Sequence, residues 1–196
     1  VNQWHHLALV FTKTSQSWFI NGQADGTNTT TSYTPFDGNN PALGYFSSSA
    51  TNQWHYNGQI DQVRIFNTAI SNANVATLAR GASTSYSGIE NSITYNTGAF
   101  GKAIQFSGAG SNVETSLDNS NFTSNYSISL WVNLDNANVF QNFVGNYKSS
   151  GGYGGFTFMS RNVGSGVYRY GFIWWTGSGS NYNFVDNLDV VATSKT

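Results

Sequence analysis

The sequence predicts an all-β protein, an antiparallel β-sandwich with one short helix near residues 71–80. Apolar and polar residues alternate in many short runs, such as Trp4 to Phe11 and Ser127 to Leu134. Glycine-rich turns, including residues 149–155 and 177–180, separate these runs at the spacing typical of sandwich strands. Aromatic residues make up 16% of the 196-residue chain, which is enough to fill a large core.

The first run, Trp4 to Phe11, predicts a central strand because apolar residues lie on both of its faces. His5 and His6 are neighbours, so they point to opposite faces of a strand and cannot bind one metal ion together. The Asn21-Gly22 pair predicts a tight reversal, since both residues tolerate the positive φ of a type I′ turn.

The stretch from Trp54 to Arg80 runs from a hairpin turn through an alternating strand into the helix. Ser71 is the predicted N-cap of this helix, Val75 and Leu78 share one helical face, and Gly81 follows as a C-cap residue. This stretch gives the clearest prediction in the chain, because its strand pattern, helix pattern and capping residues are consistent with one another.

The remaining segments predict short strands separated by turns. Residues 24–42 contain both prolines of the chain and predict a loop with at most one edge strand. The predicted strands are 43–46, 102–106, 113–115, 127–134, 139–146, 155–160, 168–175 and 183–193.

Composition excludes several functions. Charged residues are 9% of the chain and the net charge is -1, so no basic surface for nucleic acid or anionic lipid is indicated. Cysteine is absent, so no disulfide stabilises the fold. No apolar run has the length of a membrane span, and we expect no membrane insertion.

Five stretches carry a resemblance to a known family. They are WHHLALVF at 4–11, SWFINGQ at 17–23, the 54–80 stretch, GAFGKAIQFSG at 98–108 and NYSISLWVNL at 125–134. Together they resemble laminin G-like domains of the concanavalin A-like lectin/glucanase superfamily. The resemblance implies a jelly-roll sandwich, and we expect Trp4 and Trp131 in its core.

The two halves of the family pattern are in swapped order. Residues 1–80 resemble the C-terminal half of a laminin G-like sandwich, residues 81–94 are the predicted linker, and residues 95–196 resemble the N-terminal half. Either one domain is circularly permuted, or the chain is one period of a tandem array cut inside a domain. We favour the array, in which residues 1–80 complete a sandwich with the preceding copy. Packing of both halves within one chain would favour permutation.

Catalysis is not expected. Glucanases of this superfamily need two or three carboxylates converging on a sugar, and no predicted strand here carries acids at alternate positions. Glu90 and Glu114 are the only glutamates. No G-x-S-x-G nucleophile turn is present either.

A calcium ion is the one cofactor that the resemblance implies, near the end of the strand that contains Asp61. Carbonyl groups near residues 88–91, with Glu90 beside them, would add oxygen ligands. In the alternative interpretation, Asp61 caps a turn or pairs with Arg64 or Arg80.

Sugar binding would need exposed aromatic rings beside hydrogen-bonding groups, because pyranose rings stack on flat rings. The candidate ligand-binding residues are Trp174, Trp54, Tyr153 and Tyr182, with Trp18 and Tyr168 as further possibilities. For the Trp174-Trp175 pair, a sandwich contact or a domain interface is favoured over a ligand platform.

Three functions fit these observations. The favoured one is a non-catalytic structural repeat of an extracellular filament, fibre or long surface adhesin, whose partners are neighbouring copies of itself. The second is a carbohydrate-binding or adhesion module of a secreted, cell-surface or virion tail protein. The third is an accessory domain of an enzyme.

Overall fold

The computed structural model describes residues 3–29, 41–47, 53–81, 89–108, 110–117, 125–135, 140–146, 155–164, 167–175, 182–185 and 189–190. We call residues 1–80 the first block and residues 81–196 the second block. The first block contains β1 (Trp4–Phe11), β2 (Ser15–Ile20), β3 (Gln23–Thr29), β4 (Ala42–Leu43), β5 (Tyr45–Ser47), β6 (Gln53–His55) and β7 (Asn57–Phe66), followed by helix α1 (Asn72–Leu78). The second block contains β8 (Ile89–Asn91), β9 (Ile93–Thr97), β10 (Lys102–Ser107), β11 (Asn112–Glu114), β12 (Tyr126–Leu134), β13 (Gln141–Gly145), β14 (Phe156–Gly164), β15 (Val167–Trp175), β16 (Tyr182–Val185) and β17 (Asp189–Val190).

Two antiparallel sheets form the sandwich. The first sheet has the strand order β3-β2-β1-β12-β7-β10-β9, and the second has the order β16-β15-β14-β13-β4-β11-β8, with β17 beside β15. A separate hairpin pairs β5 with β6. The predicted all-β sandwich with one short helix is therefore confirmed for the described residues, and β1 is central as predicted.

The core lies between the two sheets and is rich in aromatic rings. Trp18 is 1% exposed, and its ring meets those of Phe158 and Phe172 edge-on at 5.8 and 5.7 Å. Edge-to-face contacts of this kind add stability beyond the buried area. Trp18 is therefore a core residue, and its prediction as a sugar-binding residue is wrong.

Helix α1 closes part of the outer face of the first sheet. The Ser71 side chain caps it by accepting the Asn74 N–H, and Val75 is its buried residue. Val75 packs with Ala8, Val10 and Phe19, all on the sheet face opposite the core. Both the helix and its N-cap agree with the prediction.

The two sequence blocks pair with each other inside this one chain. Strand β1 of the first block lies antiparallel to β12 of the second, with Leu7 opposite Leu130, and β7 lies between β12 and β10. This closure is what a permuted domain requires. Successive identical copies would form the same strand pairs, because each copy offers the same sheet edges.

Several predicted boundaries differ from the structure. The strand predicted at 155–160 extends to Gly164, and within 183–193 the structure describes two strands, β16 and β17. The strand predicted at 43–46 is two short strands, because Gly44 turns the chain with φ +76° and sends β4 and β5 into different sheets. Within the predicted linker 81–94, β8 pairs with β11 and β9 with β10. The end of that segment therefore belongs to the sandwich.

Trp4 and Trp131 are not core residues, and that prediction is wrong. Both are half-buried, and they lie on the outer face of the first sheet. Trp131 occupies the position opposite His6, while the intervening residues Leu130 and Val132 fill the core. The alternation of β12 assigns the smaller apolar residues to the interior and the indole to the outside.

Candidate functional site

The Asp61 carboxylate holds the turn that joins β9 to β10. Asp61 is 1% exposed, and its Oδ2 accepts the Phe100 N–H at 2.9 Å. Burial raises the pKa of this carboxyl, while backbone N–H groups of Phe100, Gln62 and Ala99 act in the opposite direction. A Cβ on Gly98 would lie 2.5 Å from Oδ2, so the turn needs glycine there. The turn-capping interpretation of Asp61 accounts for these contacts.

An aromatic and histidine cluster surrounds this turn on the outer face of the first sheet. The Phe100 ring meets Trp131 edge-on at 5.3 Å, and Trp131 lies 5.5 Å from the His6 ring. His6 Nε2 and Ser129 Oγ are 2.8 Å apart. Burial, with a smaller effect of the Arg64 charge, lowers the pKa of His6 to about 4. At neutral pH the imidazole is therefore uncharged.

Glu90 lies on the second sheet, away from the strand that carries Asp61. Its side chain is exposed and accepts a hydrogen bond from the Tyr95 hydroxyl of β9. This bond joins an edge strand of the second sheet to an edge strand of the first. In the part of the chain that the structure describes, no group of three or more His, Asp or Glu side chains is placed to hold a metal ion.

The two glutamates do not form a catalytic pair. Glu90 lies opposite Val113 and Glu114 lies opposite Ile89 on the paired strands β8 and β11. Residues directly opposite share a face and successive residues alternate, so the two carboxylates point to opposite faces of the sheet. A glycosidase instead needs two carboxyl groups facing one sugar.

A second aromatic cluster lies on the outer face of the second sheet. Trp54 stacks on Phe140 with ring centroids 5.2 Å apart and planes 20° apart. Beneath Trp54 lie Met159 and Ile173, each buried and separate from the main core. Phe140 is 37% exposed. We call Trp54 and Phe140 the Trp54 surface.

The β5–β6 hairpin positions the Trp54 surface. The Gly44 N–H donates a hydrogen bond to the Phe143 carbonyl at 2.9 Å, and the Tyr56 N–H donates one to the Gly44 carbonyl at the same distance. These bonds fix the residues that precede and follow the hairpin. The Asn142 side chain adds a bond to the Tyr45 carbonyl at 2.8 Å. Within the hairpin, the Tyr45 and His55 rings lie 5.1 Å apart, and burial lowers the pKa of His55.

For Trp174 and Tyr182, two of the other predicted sugar-binding residues, the structure describes the register position in the second sheet. Trp174 occupies the register position between Phe156 and Asn183, and Tyr182 lies opposite Trp175. The side chains of Trp174, Tyr168 and Tyr182 lie outside the described residues, as does Tyr153 altogether.

The sequence analysis missed Phe140, the stacking partner of Trp54. It lies just before β13, where the chain enters the second sheet. The one sequence signal at this surface is the Gln-Trp-His segment, Gln53–His55, which forms β6.

Residues 1–76 match a laminin G family model described as the concanavalin A-like lectin/glucanases superfamily. The match confirms the laminin G-like resemblance over these residues, and the two-sheet sandwich of the described chain agrees with it. No curated protein and no solved structure matches the chain. Among the described residues, no helix is long and apolar enough to cross a membrane.

Proposed function

We propose that this chain is a non-catalytic structural module of an extracellular filament, fibre or long surface adhesin built from tandem lectin-like β-sandwich domains. The proposal rests on the swapped order of the two halves that the resemblance assigns, with the match to the laminin G family model over residues 1–76. Strand β1 pairs with β12 and β7 pairs with β10 within one chain, and this closure by itself favours a permuted domain. Successive identical copies would form the same strand pairs, so the number of copies in the gene decides between the two arrangements.

The acidic side chains support a non-catalytic role. Asp61 holds a turn, Glu90 bonds Tyr95, and Glu114 faces away from Glu90. Glu90 and Glu114 therefore do not face one sugar, as acid and nucleophile must for hydrolysis. Charged residues are only 9% of the chain, a composition that is common in secreted and fibrous proteins.

The experiment is to sequence the flanking gene and to image the native protein by negative-stain electron microscopy. We expect several near-identical copies in one reading frame and a thread of beads, each the size of one sandwich. A gene with a single copy and a native monomer would contradict the proposal.

The second candidate is carbohydrate binding at the Trp54 surface, favoured by the stacking of Trp54 on a partly exposed Phe140. The outer face of this stack is the partly exposed Phe140 ring, which can bind the apolar face of a neutral pyranose. Glycan-array binding should be lost on Phe140→Ala, because Phe140 is the more accessible ring, and retained on Phe100→Ala at the other cluster. Binding that is absent, or equally sensitive to both changes, would contradict this candidate.

Calcium binding near Asp61 remains a prediction of the resemblance. A rise in Tm caused by calcium and not by magnesium, and abolished in Asp61→Asn, would support it. An unchanged Tm in millimolar calcium would contradict it.

A further inference from the structure

Two arginines lie directly opposite each other on the outer face of the second sheet. Arg161 of β14 is the register partner of Arg169 of β15, and both are half-buried. Residues two or four positions apart on a strand share a face, so Arg161 lies on the face of Met159 and Arg169 on the face of Ile173. Met159 and Ile173 pack beneath Trp54, outside the main core. Arg161 and Arg169, which we call the arginine pair, therefore share their face with the Trp54 surface.

The arginine pair is unfavourable for the sheet itself. Like charges at directly opposite positions of an antiparallel ladder repel each other. The chain has only eight lysines and arginines, so a high content of basic residues does not explain the pair. Asp189 of β17 is the register partner of Arg169 on its other side, so this row of positions has two positive charges and one negative charge. A local choice that works against stability is expected at a functional site.

The exposed ring of the Trp54 surface borders the arginine pair. Gln141, the first residue of β13, lies opposite Ser160 of β14, and both are buried. Continuing this register by one residue brings Phe140 next to Arg161 on the outer face, with about 5 Å between the Cβ atoms. Phe140 is 37% exposed. A ligand that lies on the Phe140 ring is therefore within reach of the Arg161 guanidinium.

The chemistry of this area favours a sugar that carries a carboxylate. An aromatic ring stacks on the apolar face of neutral and acidic pyranoses alike, so the charge beside the ring decides between them. A guanidinium binds a carboxylate through two parallel N–H···O bonds. Each arginine has five N–H donors, so it can keep a partner within the protein and still bind an anion. A bound carboxylate would also reduce the repulsion within the arginine pair.

We propose that the arginine pair and Phe140 bind an acidic sugar, with the pyranose ring on Phe140 and its carboxylate at Arg161 and Arg169. This inference rests on the carbohydrate-binding candidate for the Trp54 surface and names the class of its ligand. It does not depend on the tandem array.

The test is a glycan array that carries neutral, carboxylated and sulfated glycans, followed by isothermal titration calorimetry with the glycan that binds best. Carboxylated glycans should bind in preference to the other two classes. Arg161→Gln and Arg169→Gln should each weaken binding at least about tenfold, because each removes charge-assisted hydrogen bonds. Arg80→Gln is the matched control, since it removes the same charge from an exposed position after α1, and it should bind as the wild type does.

Arg161→Lys separates a direct contact from a general effect of charge. Lysine keeps the positive charge but lacks the planar fork that matches a carboxylate. Arg161→Lys should therefore bind more weakly than the wild type and more tightly than Arg161→Gln. Wild-type affinity in Arg161→Lys would contradict a bidentate contact and overturn the role given to Arg161.

Thermal unfolding midpoints show which variants are folded, and Arg169→Gln keeps the test valid if Arg161→Gln unfolds. A preference for neutral or sulfated glycans, or binding that is unaffected by both Arg→Gln changes, would overturn this inference. If such binding is still lost in Phe140→Ala, the carbohydrate-binding candidate stands without it. A chain that binds no glycan would overturn both, and the copy number of the gene would still test the array.

Discussion

The outer faces of the two sheets are closed in different ways. On the first sheet, α1 covers Ala8, Val10 and Phe19, and a turn is fixed by the buried Asp61 carboxylate. On the second sheet, the β5–β6 hairpin lays Trp54 over Met159 and Ile173 and leaves Phe140 partly exposed. On the first face a buried carboxylate fixes a turn by accepting its N–H groups, whereas on the second the Trp54 ring lies on apolar side chains. Loss of the buried Asp61 carboxylate on the first face should therefore cost more stability than loss of the Trp54 ring on the second.

The largest effect is expected for Asp61→Ala. The change removes a buried carboxylate that accepts turn N–H groups, and we expect a loss of about 3 kcal/mol in the free energy of unfolding. Urea denaturation measures it. The control is Asp135→Ala, because this exposed carboxylate accepts a bond from Gln105 Nε2 at 2.9 Å at the surface and its loss should cost about 0.5 kcal/mol or less. Equal losses in the two variants would contradict the role of Asp61.

A pH effect of similar size is expected from His6. Its pKa is about 4 in the folded chain and 6.5 when unfolded, so the unfolded chain binds the proton more strongly. The stability is therefore complete above pH 6.5 and falls as the pH drops toward 4, by about 3 kcal/mol for this residue. The raised pKa of Asp61 acts with the opposite sign, because its protonated form is favoured by folding.

Urea midpoints at pH 7 and pH 4.5 measure the effect of pH on stability, and His6→Gln should make that dependence smaller. His5 and His55, whose pKa values burial also lowers, account for what remains. A pH dependence that is the same in the variant and the wild type would contradict the assignment to His6.

A smaller loss is expected for Trp54→Ala on the second sheet. The ring is half-buried over Met159 and Ile173, and its removal should cost about 2 kcal/mol. Urea denaturation of Trp54→Ala beside Asp61→Ala tests the comparison directly. If Trp54→Ala proves the more damaging change, the second face is the better fixed one.

The smallest effect is expected for Ser71→Ala at the start of α1. Loss of the bond from the Asn74 N–H to Ser71 Oγ, at 3.3 Å, should cost about 1 kcal/mol. Ser71→Asp should restore most of that loss, because aspartate is also an N-cap residue. A Ser71→Asp variant as unstable as Ser71→Ala would indicate that the cap does not act through this bond.

The difference between the faces also explains what the sequence could predict. Ser71, Gly81 and the alternation of β1 are local signals, and each marks its element within a few residues. The Trp54 surface depends on Phe140, which lies 86 residues from Trp54 and meets it only after the sheet has formed. Sequence patterns extend over a few neighbouring residues, so none of them could predict this contact.

The errors in the predicted core have a related cause. Trp131 was expected inside because its strand resembles the core strand of the family that carries a tryptophan, but the register of β12 puts Leu130 and Val132 there instead. Trp18 was considered a surface residue, although its position opposite Leu9 of β1 places it in the core. Alternation defines two faces of a strand, and only the pairing of neighbouring strands decides which face is buried.

The central claim is that the two sequence blocks complete one sandwich, and a disulfide test addresses it most directly. The chain has no cysteine, and Gln59 of the first block lies opposite Gln105 of the second. The Cβ atoms of such cross-strand partners are about 5 Å apart. Under dilute oxidising conditions, Gln59→Cys/Gln105→Cys should form an intrachain disulfide, whereas Gln59→Cys/Asn96→Cys should not, as read by mass spectrometry. Equal bridging in both variants, or bridging only between chains in the first, would contradict the account.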